Sequence, residues 1–363
     1  MEEIIKVYEK LHSMPELGME EKETANYLAQ SLEEKGFKVY RNAGNSTGVV
    51  GVFKGEEPGP VVALRADMDA LPFTIDGNLK VIHACGHDAN CTMVLMAALE
   101  AAQRGIGRGS LKIVFQPAEE TLQGAKLILN SGFVDDVEEM YGIHLRPIQE
   151  AKLGEATPAL CHGSAYVIKA QIKGKAAHGA RPHLGINVID AAANIVHAIN
   201  AIRVNPVVPH SIKTTKLAAG GEAFNIIPDT AHLVFDLRAQ SNQLMELLIE
   251  KTVNAVQNGA ASIGAEAEVE ILGGVPGADY HHELVENAQK AIQQVLGKSL
   301  GPVLTPGGED FHFYARQGKI KTAYIGLGAD LEPGLHHQDM SFNLEALNHG
   351  VEILNTLIKD RLG

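Results

Sequence analysis

The 363-residue chain lacks the marks of a secreted, membrane-bound or nucleic-acid-binding protein. Its three cysteines, Cys85, Cys91 and Cys161, are too few and too irregularly spaced for a disulfide framework. No apolar run is long enough to span a bilayer, and the opening Met-Glu-Glu-Ile-Ile-Lys-Val-Tyr-Glu-Lys has neither the basic nor the apolar region of a secretory signal. Basic residues gather nowhere: 31 Lys and Arg against 44 Asp and Glu leave a formal charge of −13, which repels polyanions. Internal repeats and low-complexity segments are also missing. The expectation is therefore a soluble, cytoplasmic protein with no nucleic-acid and no membrane partner. A zinc nucleobase deaminase is excluded as well, because no P-C-x-x-C pair follows an H-x-E.

What the chain does contain is room for about two domains. Its first part alternates apolar strand-like runs (49–54, 61–64, 111–115, 139–143) with helical stretches (89–103, with Asp88 placed to cap it, and 124–131), after two opening helices at 2–13 and 20–35. Its end supplies a helix at 283–296, a strand at 322–327 and a helix at 344–359. That alternation predicts an α/β domain, a mixed sheet covered by helices on both faces. From Ala165 the order changes to strand 165–173, helix 187–202, strands 212–219 and 231–239, helix 243–262 and strand 267–272. This is βαββαβ, the ferredoxin-like α+β unit, which buries its own core. The predicted division is a domain of 1–164 and 276–363 with 165–275 inserted into it.

Several strand-like runs stop at residues with useful side chains. R-A-D-M-D places Asp67 and Asp69 just past a strand end, Q-P-A-E-E places Glu119 and Glu120, and G-I-H-L-R-P places His144. Sites in open α/β sheets form at such carboxyl ends. In H-A-C-G-H-D one glycine separates Cys85 from His87, letting the backbone turn tightly enough for a thiolate and an imidazole to face one ion. The plainer reading is a structural cysteine beside a capping histidine; the S/N pairing favours the ion. Glu119 and Glu120 leave their strand through a proline, so one can bind metal while the other moves protons, although an isolated acidic pair is as often a solvated loop. His144 alone is more often a satisfied core or capping residue, and His336 with His337 in L-H-H-Q is weak evidence by itself. The argument is convergence of these separate stretches on one point. Asp67 has the pattern of a strand-end turn former and also that of an aspartate that orients a metal ligand.

Together with L-H-S-M-P-E-L-G, G-K-A-A-H-G-A-R-P-H-L-G, F-N-I-I-P-D and G-G-E-D-F, these motifs resemble the cocatalytic metallohydrolases that include aminoacylases, carboxypeptidases and hippurate and auxin-conjugate amidohydrolases. The likeness covers nearly the whole chain and is closest to the hippurate and auxin-conjugate branch. It implies a metal-dependent amidohydrolase that cleaves the amide bond of N-acyl amino acids or similar small amides. By resemblance, Cys85, His87, Glu120, His144 and His336 are the metal ligands, with Cys85 bridging two divalent ions, Zn or Mn, with Co or Ni also accepted by the S/N/O set. Glu119 is the general base, and Asp67 sits behind the metals. His178 is the lid histidine that approaches the scissile carbonyl, often across a homodimer formed through the lid. Asn225 and Arg238 are lid residues that contact substrate, the arginine as a carboxylate clamp.

The implied mechanism lowers the pKa of a metal-bridged water from about 15.7 toward about 7, with Glu119 taking its proton and later returning it to the leaving amine. The chain departs from the branch in two places. Asn90 stands where H-D-x-H has its second histidine, and Thr121-Leu122-Gln123 replaces a glycine-rich run. The missing histidine is not a metal-ligand position, so the metal site is expected to survive; the run after Glu120, like the unusual stretch between Pro72 and His83, flanks the pocket and so bears on specificity. Two other classes stay open at this point: a dipeptidase or carboxypeptidase-type exopeptidase, told apart by its demand for a free α-amine, and a metal-binding regulatory protein without turnover, against which the intact Glu119 argues.

Overall fold

The computed structural model describes residues 1–305 and 307–363, so Pro306 of the T-P-G-G-E-D-F loop lies outside the described residues. The chain separates into two compact units. One is Met1–Cys161 with Asp279–Thr305 and Glu309–Gly363; the other is His162–Ala278 with Gly307 and Gly308.

The first unit is built on a seven-stranded sheet in the order Lys38–Ala43, Gly48–Lys54, Arg108–Gln116, Glu57–Asp67, Glu139–Pro147, Lys321–Leu331, Ala156–Thr157. The four strands from Arg108–Gln116 to Lys321–Leu331 are parallel, and the flanking ones antiparallel. Val62, Ala63 and Leu64, and likewise Ile113, Val114 and Phe115, are successive and fully buried. Such runs mark strands covered on both faces, which is why they read as apolar blocks and not as alternating patterns. Helices His87–Arg104 and Glu345–Leu362 contribute Met93, Val94, Leu95, Leu354 and Leu357 to the same core. Because the central strands run in one direction, their carboxyl ends lie along one edge: Asp67 is level with Gln116, and His144 with Gly326.

The second unit carries a four-stranded antiparallel sheet in the order His210–Ala219, Thr230–Ala239, Ser164–Lys173, Glu266–Val275. Along Thr230–Ala239 the buried residues alternate (Ala231, Leu233, Phe235, Leu237, Ala239), as on a strand with one covered face. The cover comes from helices Val188–Asn200 and Asn242–Ala261, through Ile195, Ile199 and Leu248. Asn187 and Ser241 start these helices by accepting the backbone N–H groups of Ile189 and Leu244. The element order is the ferredoxin-like βαββαβ.

Two details differ from the sequence reading. Helix His87–Arg104 begins one residue after Gly86, so Asp88 lies inside its first turn and is not the cap; its carboxylate accepts the Ala89 N–H and pairs with His12 at 2.6 Å. Between Pro72 and His83 the chain forms a hairpin, Leu71–Ile75 with Asn78–Ile82, that the apolar pattern does not reveal. Its turn, Asp76-Gly77, has positive φ at both positions, the two-residue turn that matches strand twist.

Gly142 faces Tyr324 across the parallel pair, and a Cβ there would fall 2.5 Å from the Tyr324 ring, itself stacked on Phe311 at 4.7 Å. The ring has no room to retreat. Gly142→Ala is expected to destabilise the protein by about 1–3 kcal/mol, read as a lower midpoint in chemical denaturation; an unchanged midpoint would show that this layer yields.

Candidate metal centre

Several of the functional side chains stand at or near the end of a central strand. Asp67 is the last residue of Glu57–Asp67, Glu119 and Glu120 follow Gln116 at the end of the neighbouring strand, and His144 lies in Glu139–Pro147. Gly86, in the left-handed region (φ 85°), turns the backbone between Cys85 and His87. His336 is drawn in by its own backbone N–H, which donates to the Ala84 carbonyl beside Cys85.

These residues come together. Ligand atoms of Cys85, His87 and His144 lie within 4.8 Å of one another, as do those of Cys85, Glu120 and His336, and those of His87, Glu119 and Glu120. Cys85 is common to the first two groups, and its sulfur is 3.6 Å from His144 Nε2. Both buried histidines are oriented from behind. His87 donates Nδ1–H to the Asp69 carbonyl (2.8 Å), and His144 donates Nδ1–H to the Leu145 carbonyl (2.7 Å), which turns both Nε2 atoms toward the cluster. His87 Nε2 and Glu120 Oε1 are fully buried without a hydrogen-bond partner. Buried polar atoms are rarely left so, and a thiol, imidazoles and carboxylates are the donors a divalent transition ion takes. The residues present therefore fit a metal. His336 is the half-exposed member, its Nε2 3.3 Å from Glu120 Oε1.

The electrostatics are those of a crowded, dry site. Burial lowers His144 to about 3, so it is neutral at physiological pH and offers a lone pair. Burial pushes the Cys85 thiol up to about 12. For His87 burial works against the cation, but Asp67, Cys85 and a hydrogen bond to Asp69 hold it well above the ordinary imidazole range. Glu119, buried and not far from the carboxylates of Glu309 and Asp310, is held well above the usual carboxylate range, first by burial and then by those two charges. Asp67 moves the other way: against burial, His87 and Arg65 keep it ionised.

Sequence reasoning gave no role to Arg65, Glu309 or Asp310. Arg65 is fully buried and bonds Asp67 (2.6 Å), Asp310 (2.9 Å), Glu309 (3.2 Å) and the Gln116 side chain (3.0 Å). The signal was present in R-A-D and G-G-E-D-F, two motifs whose charges make sense only as partners. Asn90, the departure from H-D-x-H, donates to Asp67 at 2.9 Å.

The lid candidates lie in the second unit. His178 and Asn225 are neighbours there: His178 pairs with Ile226 across a two-stranded ribbon, and the Gly179 N–H donates to the Asn225 carbonyl. Arg238 lies elsewhere, on Thr230–Ala239, with its guanidinium against Asp236 at 3.1 Å.

Comparison with known proteins adds three findings. Residues 63–360 match the model of peptidase family M20/M25/M40. The chain is 32% identical over 357 residues to a hippurate hydrolase of Campylobacter jejuni, covering 94% of this chain and 92% of that one, and 29% identical over 357 residues to an N-acetylcysteine deacetylase of Bacillus subtilis, covering 95% and 93%. A solved structure from Bacillus subtilis, described as a dinuclear metal binding peptidase from the M20 family, superposes with a TM-score of 0.84 at 27% identity over 99% of this chain and 98% of that one.

Burial of Cys85 and the acidic surroundings of His87 raise their proton affinity, so an ion entering this cage competes with protons at both. Calorimetric titration of the stripped protein with Zn or Mn, repeated in buffers of different ionisation enthalpy, is expected to report release of about two protons on loading, and about one for Cys85→Ser. Affinity should rise with pH from 6 to 8. Heats independent of the buffer would mean that these two side chains are not ligands.

Proposed function

The chain belongs to peptidase family M20/M25/M40 and is a metal-dependent amidohydrolase, and from that premise we propose that it cleaves the amide bond of N-acyl amino acids or similar small amides. The observation that carries this is a buried carboxylate, Glu119, beside a cluster of Cys85, His87, Glu120, His144 and His336.

In this reading Cys85 is shared between two metal positions, one completed by His87 and His144 and the other by Glu120 and His336. Two divalent cations held there, Zn or Mn with Co or Ni as alternatives, supply the charge that acidifies a water and polarises the scissile carbonyl. Glu119 takes the proton from that water and later delivers it to the leaving nitrogen. Burial supports the assignment, because a carboxylate with raised proton affinity is a better base and holds the proton until the amine needs it. Asp67 orients: it faces His87 Nε2 at 3.7 Å and is fixed by Arg65 and Asn90.

The proposal assigns the inserted unit, residues 165–275 within 1–164 and 276–363, the part of lid. His178 hydrogen-bonds the developing oxyanion, Asn225 contacts the substrate, and Arg238 offers a planar fork to a substrate carboxylate. The lid also joins two copies into a homodimer. Its strand His210–Ala219 is an edge, paired only with Thr230–Ala239, and exposes Leu217. No described helix is long and apolar enough to cross a membrane. A cytoplasmic site of action accords with three cysteines kept as thiols, one of them in the cage.

Metal-replete protein is expected to hydrolyse acylated amino acids such as benzoyl- or acetyl-amino acids in preference to dipeptides with a free α-amine. Glu119→Gln should keep the metal content of the parent and lose about 10²–10⁴ in kcat. Turnover of dipeptides alone would turn the assignment toward an exopeptidase, and near-parental kcat in Glu119→Gln would remove Glu119 from the base role.

A further inference from the structure

The turn that carries Glu119 and Glu120 closes on itself only through its carbonyls, the N–H groups of Leu122, Gln123 and Gly124 donating to those of Glu119 and Ala118. After Gln116 the chain passes through Ala118 at φ 52°, a conformation unfavourable for any residue with a Cβ. The backbone N–H groups of Ala118, Glu119 and Glu120 all donate to carboxylates brought from elsewhere in the chain. Glu21 Oε1 takes the Ala118 N–H (2.8 Å), Asp69 Oδ1 takes that of Glu119 (3.2 Å), and Asp69 Oδ2 takes that of Glu120 (3.0 Å). Asp69 is 1% exposed and Glu21 0%. Among the described residues, neither belongs to a cluster with the spacing to hold an ion.

We infer that Asp69, seconded by Glu21, is a positioning residue: it fixes the Ala118–Glu120 turn and the His87 ring together, and so sets the direction in which base and ligands face. The inference rests on the reading of Glu119 and Glu120 given above. One residue does both jobs, since the Asp69 carbonyl accepts His87 Nδ1–H and its carboxylate accepts the two turn amides.

The motif L-H-S-M-P-E-L-G acquires a use from this. The Glu16 carbonyl accepts the Ala70 N–H (2.8 Å), and Leu17 bridges to Ala70, which anchors the chain next to Asp69. Gly18 packs against the turn so closely that a Cβ would come 3.1 Å from Ala118 Cα and 3.3 Å from Asp69 Oδ2. The Glu16 carboxylate accepts the N–H groups of Lys22, Glu23 and Thr24, capping helix Lys22–Glu34 in place of Glu21. Glu21 is thereby released to reach Ala118.

Chemistry predicts an asymmetry between the two carboxylates. Both side-chain oxygens of Asp69 face backbone N–H groups, which can only donate, so Asp69→Asn sets an amide NH2 against an N–H and leaves one donor unpaired. The second oxygen of Glu21 faces the Thr47 hydroxyl, which can reverse and accept, so Glu21→Gln keeps both contacts.

The test uses the metal-loaded full chain with the best acyl amino acid. Asp69→Asn is expected to lower kcat by about 10–100-fold with KM within about threefold, and to weaken metal retention in a chelator competition by a similar factor. Glu21→Gln should lose far less. The double variant Asp69→Asn/Glu119→Gln should lose less than the product of the two single losses, because part of what Asp69 does passes through Glu119 and the rest through His87 and Glu120. Should Asp69→Asn fail to fold, Gly18→Ala presses on the same turn and is expected to lower kcat several-fold at unchanged KM. Parental kcat in folded Asp69→Asn or Gly18→Ala, or equal losses in Asp69→Asn and Glu21→Gln, would overturn the inference. An active Glu119→Gln would instead refute the base assignment, and the chelator competition would still report on Asp69 and His87.

Discussion

A buried imidazole nitrogen and carboxylate oxygen that lack hydrogen bonds are costly, and His87 Nε2 and Glu120 Oε1 are held in that state at the edge where the central strands end, with His336 Nε2 3.3 Å from the carboxylate. Cations relieve that cost, and the remaining structure makes the arrangement enforceable. Parallel strands bring Asp67, Gln116 and His144 to one edge, backbone carbonyls turn two histidines inward, and the Ala84 carbonyl holds the loop that carries His336.

Part of the positive charge is supplied permanently by Arg65. Its guanidinium, out of contact with water, joins Asp67, Glu309 and Asp310, and Asp310 in turn accepts from Gln116 and from the Ala125 N–H. Every carboxylate oxygen of the three acids has a partner, the condition under which buried ionic groups are tolerated and become specific. The balance is fine: burial and Glu309 still raise Asp310 to about 7 despite Arg65. The network ties the strand end carrying Asp67 to the loop after Thr305, so ligand geometry on one side and charge near Glu119 on the other depend on one side chain. Asp69 and Glu21 do the corresponding work for the turn, using amide N–H groups where Arg65 uses carboxylates.

The strands that end at the site were legible in the sequence because a strand covered on both faces must be apolar throughout, and Val61–Leu64, Leu111–Phe115 and Glu139–Ile143 are nearly so. The fold class and the order of elements in the inserted unit could be read for a related reason, the alternation along Thr230–Ala239. The hairpin at Leu71–Ile82 stayed hidden because neither strand presents a buried face, though Asp76-Gly77 is a turn signal. Asp88 looked like a helix cap because aspartate before an apolar stretch usually is; its real partner, His12, is 76 residues away. The partners of Asp69 and Glu309 could not be read for the same cause. A charge whose partner lies far along the chain has the local pattern of a solvated one.

The central claim is that five side chains from distant segments enclose two cations and leave Glu119 outside the ligand set. Anomalous diffraction from crystals soaked in Zn or Mn tests it most directly. The account predicts two peaks roughly 3.5 Å apart, the Cys85 sulfur between them, His87 and His144 on one and Glu120 and His336 on the other, with Glu119 bonded to neither. A single peak, peaks away from Cys85, or Glu119 as a ligand would contradict it.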